Sequence, residues 1–218
     1  MYTPKHFEET RPEVLRDLIG AHPLATVVTT TARGVDANHI PLLWRADGSP
    51  LGTLIGHVAR ANPMWKDHRP EVEVLAIFQG PAAYITPAWY PTKAETGKVV
   101  PTWNYAVVHA RGTMRAIEDR AWLRAQIEAL TARMESPRAE LSGAAPWASA
   151  DAPADYIEAM LGAIVGIEIA ISDLGGKWKA SQNQPERNQD GVIAGLMATA
   201  NDPATEAMAK LIAERRGN

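Results

Sequence analysis

The chain has 218 residues, a formal net charge of −3 and no cysteine. Hydrophobic residues make up 46% and charged residues 22% of it, which is typical of a globular protein and excludes wholesale disorder. The absence of cysteine excludes disulfides, thiolate metal sites, iron–sulfur clusters and a cysteine nucleophile. No apolar run approaches the ~20 residues that span a bilayer, and the first residues lack an apolar signal core. We therefore expect a cytoplasmic protein without membrane contact.

The first half of the chain predicts one helix followed by short strands. Thr10 and Glu13 have capping-box spacing, so a helix is expected to begin at Thr10 and to end at Gly20. The polar loop at 45–50 has the composition of a hairpin loop. A turn is expected at 79–81, where Gly and Pro follow each other. The expected strands are 24–30, 37–44, 51–58, 71–78 and 82–86.

The second half predicts two further strands, then helices around one more strand. Strands are expected at 98–111 and 113–117, divided by Gly112, and at 164–172. Helices are expected at 119–134 and 155–161, separated by a loop at 135–154 that is rich in Ala, Pro and Ser. A last helix is expected to start at Pro203, with Asp202 as its cap.

Strands in this number, with few helices and no βαβ alternation, indicate a mainly β fold with flanking helices. The expected architecture is an antiparallel barrel. No internal repeat or clean linker divides the sequence, so we expect a single domain over residues 1–218.

Five segments combine polar donors, aromatic rings and backbone breakers at expected strand ends or in loops, where binding sites tend to lie. Together they suit a large, flat, anionic ligand, because cations and hydroxyl or amide donors bind phosphate and aromatic faces stack on rings. The candidate phosphate and ring-edge contacts are Arg60, Lys93, Lys177, Lys179, Thr86, Thr102, Ser181, Asn62, Asn104, Gln182 and Asn183. The candidate stacking faces are Trp89, Trp103 and Trp178. His39 and His57 lie in the same segments as candidate pocket residues.

Several catalytic motifs are absent. The chain has no GxSxG elbow, no phosphate-binding glycine fingerprint and no HExxH metal motif. These absences disfavour a hydrolase, a kinase and a Rossmann dehydrogenase, and we expect no metal site.

Six motifs, in order along nearly the whole chain, resemble the PaiB family of FMN-binding negative transcriptional regulators. They are MYxPxHF at 1–7, GHVARANP at 56–63, FQGPxAYIxPxWYPxK at 78–93, VVPTWNYxxVHAxG at 99–112, IVGIEI at 164–169 and GKWKxSQN at 176–183. The resemblance implies an FMN-binding split β-barrel with Greek-key antiparallel topology, paired as a homodimer. The tail after residue 188 matches little and is expected to form a C-terminal helical extension over about 188–218.

The resemblance also implies where FMN would bind, in a groove near the subunit interface. The phosphate is expected on Arg60 and neighbouring polar groups, and the ring beside 38–42 and 56–63. The segment 177–183 is expected to complete the pocket from the partner subunit. The implied contacts in the two ring-binding segments are His39, Ile40, Pro41, His57, Val58, Ala59, Arg60 and Asn62.

Three functions stay open at the level of sequence. The first is a flavin-binding negative transcriptional regulator, with DNA as its partner, although no helix-turn-helix pattern is visible. The alternative is an FMN-dependent oxidoreductase, either a flavin reductase or an oxidase of a small molecule, with NAD(P)H as electron donor. Its redox chemistry would belong to the cofactor, so no catalytic side chain is assigned. The third is a haem-binding split barrel with His39, His57 or His109 as iron ligand.

Overall fold

The computed structural model describes residues 1–199 and 203–216, which form eight β-strands and seven α-helices. The strands are β1 (Glu8–Glu9), β2 (Leu24–Thr31), β3 (Gly34–Pro41), β4 (Leu43–Arg45), β5 (Thr53–Ala59), β6 (Val74–Ile85), β7 (Thr102–Ile117) and β8 (Ile164–Lys179). The helices are α1 (Pro12–Ala21), α2 (Met64–Asp67), α3 (Thr92–Thr96), α4 (Arg120–Ser142), α5 (Ala154–Gly162), α6 (Glu186–Ala198) and α7 (Pro203–Glu214). Short 3₁₀ turns lie at Lys5–Phe7, Pro87–Trp89 and Ser149–Asp151.

All eight strands belong to one sheet with the order β3-β2-β6-β7-β8-β5-β4, and β1 pairs with β8. The pairs β1–β8, β2–β3, β2–β6, β4–β5 and β5–β8 are antiparallel. The hairpin of β2 and β3 runs in register from Leu24 opposite Pro41 to Thr31 opposite Gly34. The predicted class, mainly β and antiparallel with flanking helices, is confirmed.

The chain divides into two compact units. The first unit comprises Met1–His22, Phe78–His109 and Gly175–Asn218; the second comprises Pro23–Ile77 and Ala110–Leu174. The strands β6, β7 and β8 each have residues in both units. The expectation of a single domain stays a prediction. The described part of the expected C-terminal extension contains α7 and most of α6.

The second unit is built on the alternating apolar residues of β2, β5 and β8. Ala25 and Val27 on β2, Leu54 on β5, and Ile167 and Ile169 on β8 are fully buried. Burial of the Val, Leu and Ile side chains contributes about 1.5–3 kcal/mol each. Gly112 lets β7 approach β8 closely, because a Cβ there would lie 2.1 Å from the Ala170 carbonyl oxygen. The expected division of this strand at Gly112 is therefore wrong.

The first unit has its own apolar cluster, to which α6 and α7 contribute. Val192 and Leu196 of α6 and Met208 and Ile212 of α7 are buried in it together with Ile85 and Tyr90. The indole of Trp89 packs on α6 where glycine leaves room, since a Cβ at Gly195 would lie 2.3 Å from Trp89 Cδ2.

The expected turn at 79–81 is wrong, because β6 runs unbroken from Val74 to Ile85. Gly80 serves close packing within the strand rather than a turn. A Cβ at Gly80 would lie 2.9 Å from Leu18 Cδ1 and 3.3 Å from the Ala106 carbonyl oxygen.

Two expected helix ends also differ from the structure. Helix α1 begins at Pro12 with Arg11 rather than Thr10 at its N-cap, since the Glu9 carboxylate accepts hydrogen bonds from the backbone and guanidinium of Arg11. Helix α4 continues through Pro137 into the expected loop and ends at Ser142, capped by Gly143, whose left-handed φ of 69° suits glycine. The expected cap Asp202 lies outside the described residues.

Candidate functional site

A pocket of about 370 Å³ in the first unit brings together five predicted site residues from two distant motifs. Thr102 and Asn104 come from β7, Lys179 ends β8, and Ser181 follows it. Lys98 and Asn183 add polar groups to this wall. The apolar surface of the pocket comes from Phe7, Tyr90, Val99 and Val100. Ligand pockets of proteins commonly have volumes of ~300–1,000 Å³ and few convergent polar groups, so this pocket is the candidate site.

Ser181 has an unusual backbone conformation at the pocket. Its φ of 62° makes it the one non-glycine residue with positive φ in the described part of the chain. Ser181 and Asn104 are both buried, and Asn104 Nδ2 donates to Ser181 Oγ at 2.8 Å. The hydroxyl hydrogen of Ser181 is thereby left to donate to a ligand. Left-handed strain at a non-glycine residue is typical of functional sites.

Lys179 supplies a positive charge without a carboxylate partner. Its Nζ donates to Thr102 Oγ1, and it forms no ion pair with any described residue. Lys98, a second ammonium at the pocket, is exposed. A partly buried ammonium next to hydroxyl and amide donors attracts an anion, since charge-assisted hydrogen bonds are about twice as strong as neutral ones.

This donor set fits FMN. A phosphate dianion requires cations and N–H or O–H donors, which Lys179, Lys98 and Ser181 provide. A flat isoalloxazine ring requires apolar area, which Phe7 and Tyr90 provide. Burial raises the pKa of the Tyr90 phenol.

The remaining predicted residues of the first unit have structural contacts. Gln182 shapes the turn after β8, since its Oε1 accepts from Ala180 N at 2.7 Å and its Nε2 donates to the Trp178 carbonyl. Thr86 caps the turn at Pro87–Trp89 by accepting from Ala88 N at 3.2 Å. Lys93 is exposed on α3.

The three candidate stacking tryptophans have three different environments. Trp89 packs on α6, as described above. Trp178 is buried, with the Arg215 guanidinium 5.3 Å from its ring centroid. Trp103 is exposed and makes an edge contact with Tyr84, at 5.9 Å between ring centroids.

Lys177 is a buried ammonium between two tyrosine rings. Its Nζ donates to the Tyr2 carbonyl at 3.1 Å and lies 5.7 Å and 5.4 Å from the ring centroids of Tyr2 and Tyr105. Cation–π attraction and this hydrogen bond stabilise its charge in place of a carboxylate.

In the second unit, the 38–42 segment lies on β3 and its continuation. His39 is exposed and bonds Thr26 Oγ1 through Nδ1 at 3.1 Å. Ile40 is buried, and the Pro41 carbonyl approaches Gly56, where a Cβ would lie 2.6 Å from the carbonyl oxygen. On the facing segment Val58 is buried and Ala59 is exposed.

Arg60, the predicted phosphate contact, is engaged within the second unit. Its Nε donates to the Gly162 carbonyl at 2.9 Å and its Nη2 to the Ile164 carbonyl at 3.1 Å, while Nη1 pairs with Glu118 at 2.5 Å. Asn62 likewise donates to Asn38 Oδ1 at 2.8 Å and accepts from Met64 N at 2.9 Å. The phosphate role of Arg60 stays a prediction, but its donors already have partners.

Sequence reasoning missed Phe7, Lys98 and Gln126. Phe7 belongs to the first matched motif, and Lys98 lies between two matched motifs. Their place in or next to these motifs is the feature of the sequence that could have identified them as pocket residues. Gln126 lies on α4, where only the apolar periodicity was used, and it bonds His57. Residues 1–199 and 203–216 contain no group of three or more His, Asp or Glu arranged to hold a metal. Nor does any helix in those ranges have the length and apolarity to cross a membrane.

Fold and site together define a β protein of the split-barrel class with a polar, cationic ligand pocket. A family model described as "Putative FMN-binding domain" matches residues 1–173, and the chain belongs to this family. The chain is 32% identical to the Protease synthase and sporulation protein PAI 2 of Bacillus subtilis over 215 residues, which covers 99% of this chain and 98% of that protein. It is 36% identical to an uncharacterized protein of Emericella nidulans over 248 residues, covering 99% and 97% of the two chains. The resemblance to the PaiB family is confirmed.

Solved structures show the same fold at low sequence identity. The flavocytochrome Anf3 of Azotobacter vinelandii matches with a TM-score of 0.56 at 12% identity, over 81% of this chain and 72% of that chain. An FAD and heme binding protein of Mycobacterium smegmatis matches with a TM-score of 0.53 at 17% identity, over 79% and 73%. At these identities the likeness shows the fold alone.

Proposed function

We propose that this protein binds FMN and that the pocket of the first unit holds the FMN phosphate. The observation that carries the proposal is the convergence of Thr102, Asn104, Lys179 and Ser181 on one pocket, whose ammonium groups pair with no carboxylate among the residues that the structure describes. The chain also belongs to a family whose description names FMN binding, which supports the same ligand.

The chain's own residues would bind and orient the cofactor. Lys179 neutralises phosphate charge, and its contact with Thr102 fixes the direction of the ammonium. Asn104 fixes the Ser181 hydroxyl so that its hydrogen is available to a phosphate oxygen. Phe7 and Tyr90 exclude water from the apolar side. Bound FMN would supply one- and two-electron redox chemistry.

For the output of flavin binding, the proposal is negative regulation of transcription by a homodimer. Its support is the confirmed relationship to the PaiB family, which the motifs along the whole chain carry. In this role the redox state or the occupancy of the flavin would alter the affinity of the dimer for DNA.

The binding proposal is tested by titrating purified protein with FMN and following flavin fluorescence. Lys179→Gln is expected to weaken binding by about tenfold or more, since one charge-assisted hydrogen bond contributes ~1.5–3 kcal/mol. Lys210→Gln is the matched control, because Lys210 is an exposed lysine that pairs with Glu206 on α7. Absence of FMN binding by the wild-type protein, or equal loss in both variants, would contradict the proposal.

The regulatory output is tested on the FMN-loaded protein. Binding of genomic DNA fragments that is sequence-dependent, salt-sensitive and altered by flavin reduction supports the regulator. Rapid bleaching of the flavin by NAD(P)H without any sequence-dependent DNA binding would assign the oxidoreductase role instead.

A further inference from the structure

The wall of the pocket that contains Phe7 is formed by the first residues of the chain. Phe7 lines the pocket and is the one buried residue of the segment 1–7. Its neighbour along the segment, Tyr2, is 84% exposed. A segment with so little buried apolar surface opens at a low cost in free energy unless another contact fixes it. The position of Phe7 therefore depends on what holds the rest of the segment.

Lys177 on β8 holds this segment on both sides of Phe7. On one side Glu8 lies opposite Lys177 in the antiparallel pair of β1 and β8. On the other side Lys177 Nζ donates to the Tyr2 carbonyl at 3.1 Å. Between these two points Phe7 N donates to the Pro4 carbonyl at 2.8 Å and closes a 3₁₀ turn. This part of the chain thus forms a loop whose two ends lie on one residue of β8.

The ammonium of Lys177 makes a contribution that an apolar side chain could not make. Lys177 is 8% exposed, and within the described ranges its Nζ pairs with no carboxylate. Removal of an ammonium from water is costly, and a methionine at this position would bury a chain of similar length without that cost. A methionine could not, however, bond the Tyr2 carbonyl or attract the Tyr2 and Tyr105 rings. The specific effect of the charge is to fix the first residues of the chain.

Lys177 has no direct access to the ligand. It lies on the same face of β8 as Lys179, because side chains two residues apart on a strand point to the same side. Lys179 lines the pocket and Lys177 does not, and the Tyr2 carbonyl lies at hydrogen-bond distance from its Nζ. The route from Lys177 to the pocket is the segment that it holds, which ends at Phe7.

We propose that Lys177 is a positioning residue, which fixes the segment 1–7 so that Phe7 forms an apolar wall against the flavin ring. The proposal rests on the proposed function, in which this pocket holds FMN. Without the ammonium, Phe7 would be in place in a smaller fraction of the molecules, and the apparent affinity falls in proportion to that fraction. Riboflavin has the same ring as FMN and no phosphate, so the affinity for both flavins should fall by the same factor.

The hold on the segment is measured first, without flavin, from the rate of tryptic cleavage after the exposed Lys5. Lys177→Met is expected to be cleaved there about fivefold faster than wild type, since cleavage follows the population of the open segment. Lys177→Arg should be cleaved nearly as slowly as wild type, because a guanidinium keeps the hydrogen bond and the ring contacts. Lys210→Met, at an exposed lysine of α7, is the matched control. Equal rates for wild type and Lys177→Met would overturn the proposal.

The effect on the ligand is measured by titration with FMN and with riboflavin. Lys177→Met is expected to bind both flavins about fivefold more weakly than wild type, equivalent to ~1 kcal/mol, and to keep the preference for FMN. Lys177→Arg should restore both affinities. A loss of affinity for FMN alone would make Lys177 a phosphate contact and would overturn the positioning role.

A double-mutant cycle with Phe7→Ala tests whether Lys177 acts through Phe7. Phe7→Ala should weaken the binding of both flavins at least as much as Lys177→Met does, and the double variant should lose little more than Phe7→Ala alone. Additive losses would contradict the proposed route. If Lys177→Met does not fold, Tyr2→Leu takes its place in the cycle, since it removes one ring and leaves the ammonium. Its loss should be about twofold and should disappear in the Phe7→Ala background.

The outcomes separate the two proposals. If the wild-type protein binds neither flavin, the proposed function and the positioning role both fail. If the wild type binds FMN and folded Lys177→Met binds both flavins equally well as the wild type, only the positioning role of Lys177 fails.

Discussion

The pocket of the first unit and the segment 56–63 of the second unit each contain a cationic side chain, but the two cations differ in the partners that the fold provides. Lys179 contacts the Thr102 hydroxyl and, within residues 1–199 and 203–216, pairs with no carboxylate, so its charge is available to a ligand. Arg60 has two backbone carbonyls and Glu118, so its guanidinium already serves the fold. The difference teaches that a cation in a candidate binding motif is available to an anion only if no carboxylate or backbone carbonyl of its own chain already occupies it.

The same contrast exists inside the first unit, between Lys179 and Arg215. Arg215 pairs with the buried Glu9 at 2.6 Å, and Arg11 pairs with the same carboxylate at 2.7 Å. Burial raises the pKa of Glu9, but the hydrogen bonds from Arg11 and Arg215 outweigh it and lower the pKa from 4.5 to about 2. Arg215 therefore stabilises the fold.

The substitution Glu9→Gln is expected to have the largest effect, on the free energy of unfolding. Because the pKa of Glu9 is lower in the folded state, its contribution is complete above pH 4.5 and is lost as the pH falls toward 2. At pH 7 we expect the substitution to lower the free energy of unfolding by about 3 kcal/mol, and by less at pH 3. Urea denaturation at both pH values measures this. Glu8→Gln, at the exposed neighbour, is the control; an equal pH dependence of the loss in both variants would contradict the account.

Arg60→Ala is expected to have the next largest effect, on stability and not on ligand affinity. It leaves the Gly162 and Ile164 carbonyls and Glu118 without their donor, which should lower the free energy of unfolding by about 2 kcal/mol. The dissociation constant for FMN should change by less than about threefold, equivalent to under ~0.7 kcal/mol. A large loss of FMN affinity in a variant of normal stability would restore Arg60 as the phosphate contact and break the comparison.

Two substitutions of Ser181 test its role in the pocket of the first unit, and their expected effects are smaller. Ser181→Ala removes the hydroxyl and keeps the left-handed strain, whereas Ser181→Gly removes both. Both variants should lose FMN affinity to the same extent. The glycine variant should be more stable than the alanine variant by about 1 kcal/mol, measured by urea denaturation. Equal stability of the two variants would show that the φ of 62° stores no strain.

Much of the fold could be predicted because it depends on local pattern. The alternation of β2 and the spacing of apolar residues on α1 are properties of neighbouring residues. The other parts of the fold depend on tertiary packing. Gly80 and Gly112 lie in sequences typical of turns, but in the structure they allow neighbouring elements to pack closely. Helix α6 was expected only as part of an extension. Its glycines are explained by packing against Trp89 and not by helix propensity, since Gly191 faces the Trp89 carbonyl oxygen and Gly195 faces the indole.

The candidate site, like the fold, could be predicted in part. Residue type and motif selected Thr102, Asn104, Lys179 and Ser181, which the structure brings to one pocket. Two of the three partners of Arg60 are backbone carbonyls more than 100 residues away in sequence, and every residue possesses such a carbonyl. No sequence pattern distinguishes an occupied guanidinium from a free one.

The most direct test compares FMN with riboflavin, which has the same ring and no phosphate. The wild-type protein is predicted to bind FMN at least about tenfold more tightly than riboflavin, because we propose that Lys179 and Ser181 contact the phosphate. Lys179→Gln should remove most of this preference, and Arg60→Ala should retain it. Equal affinity of the wild type for both flavins, or a preference lost with Arg60 and kept without Lys179, would contradict the assignment of the phosphate to this pocket.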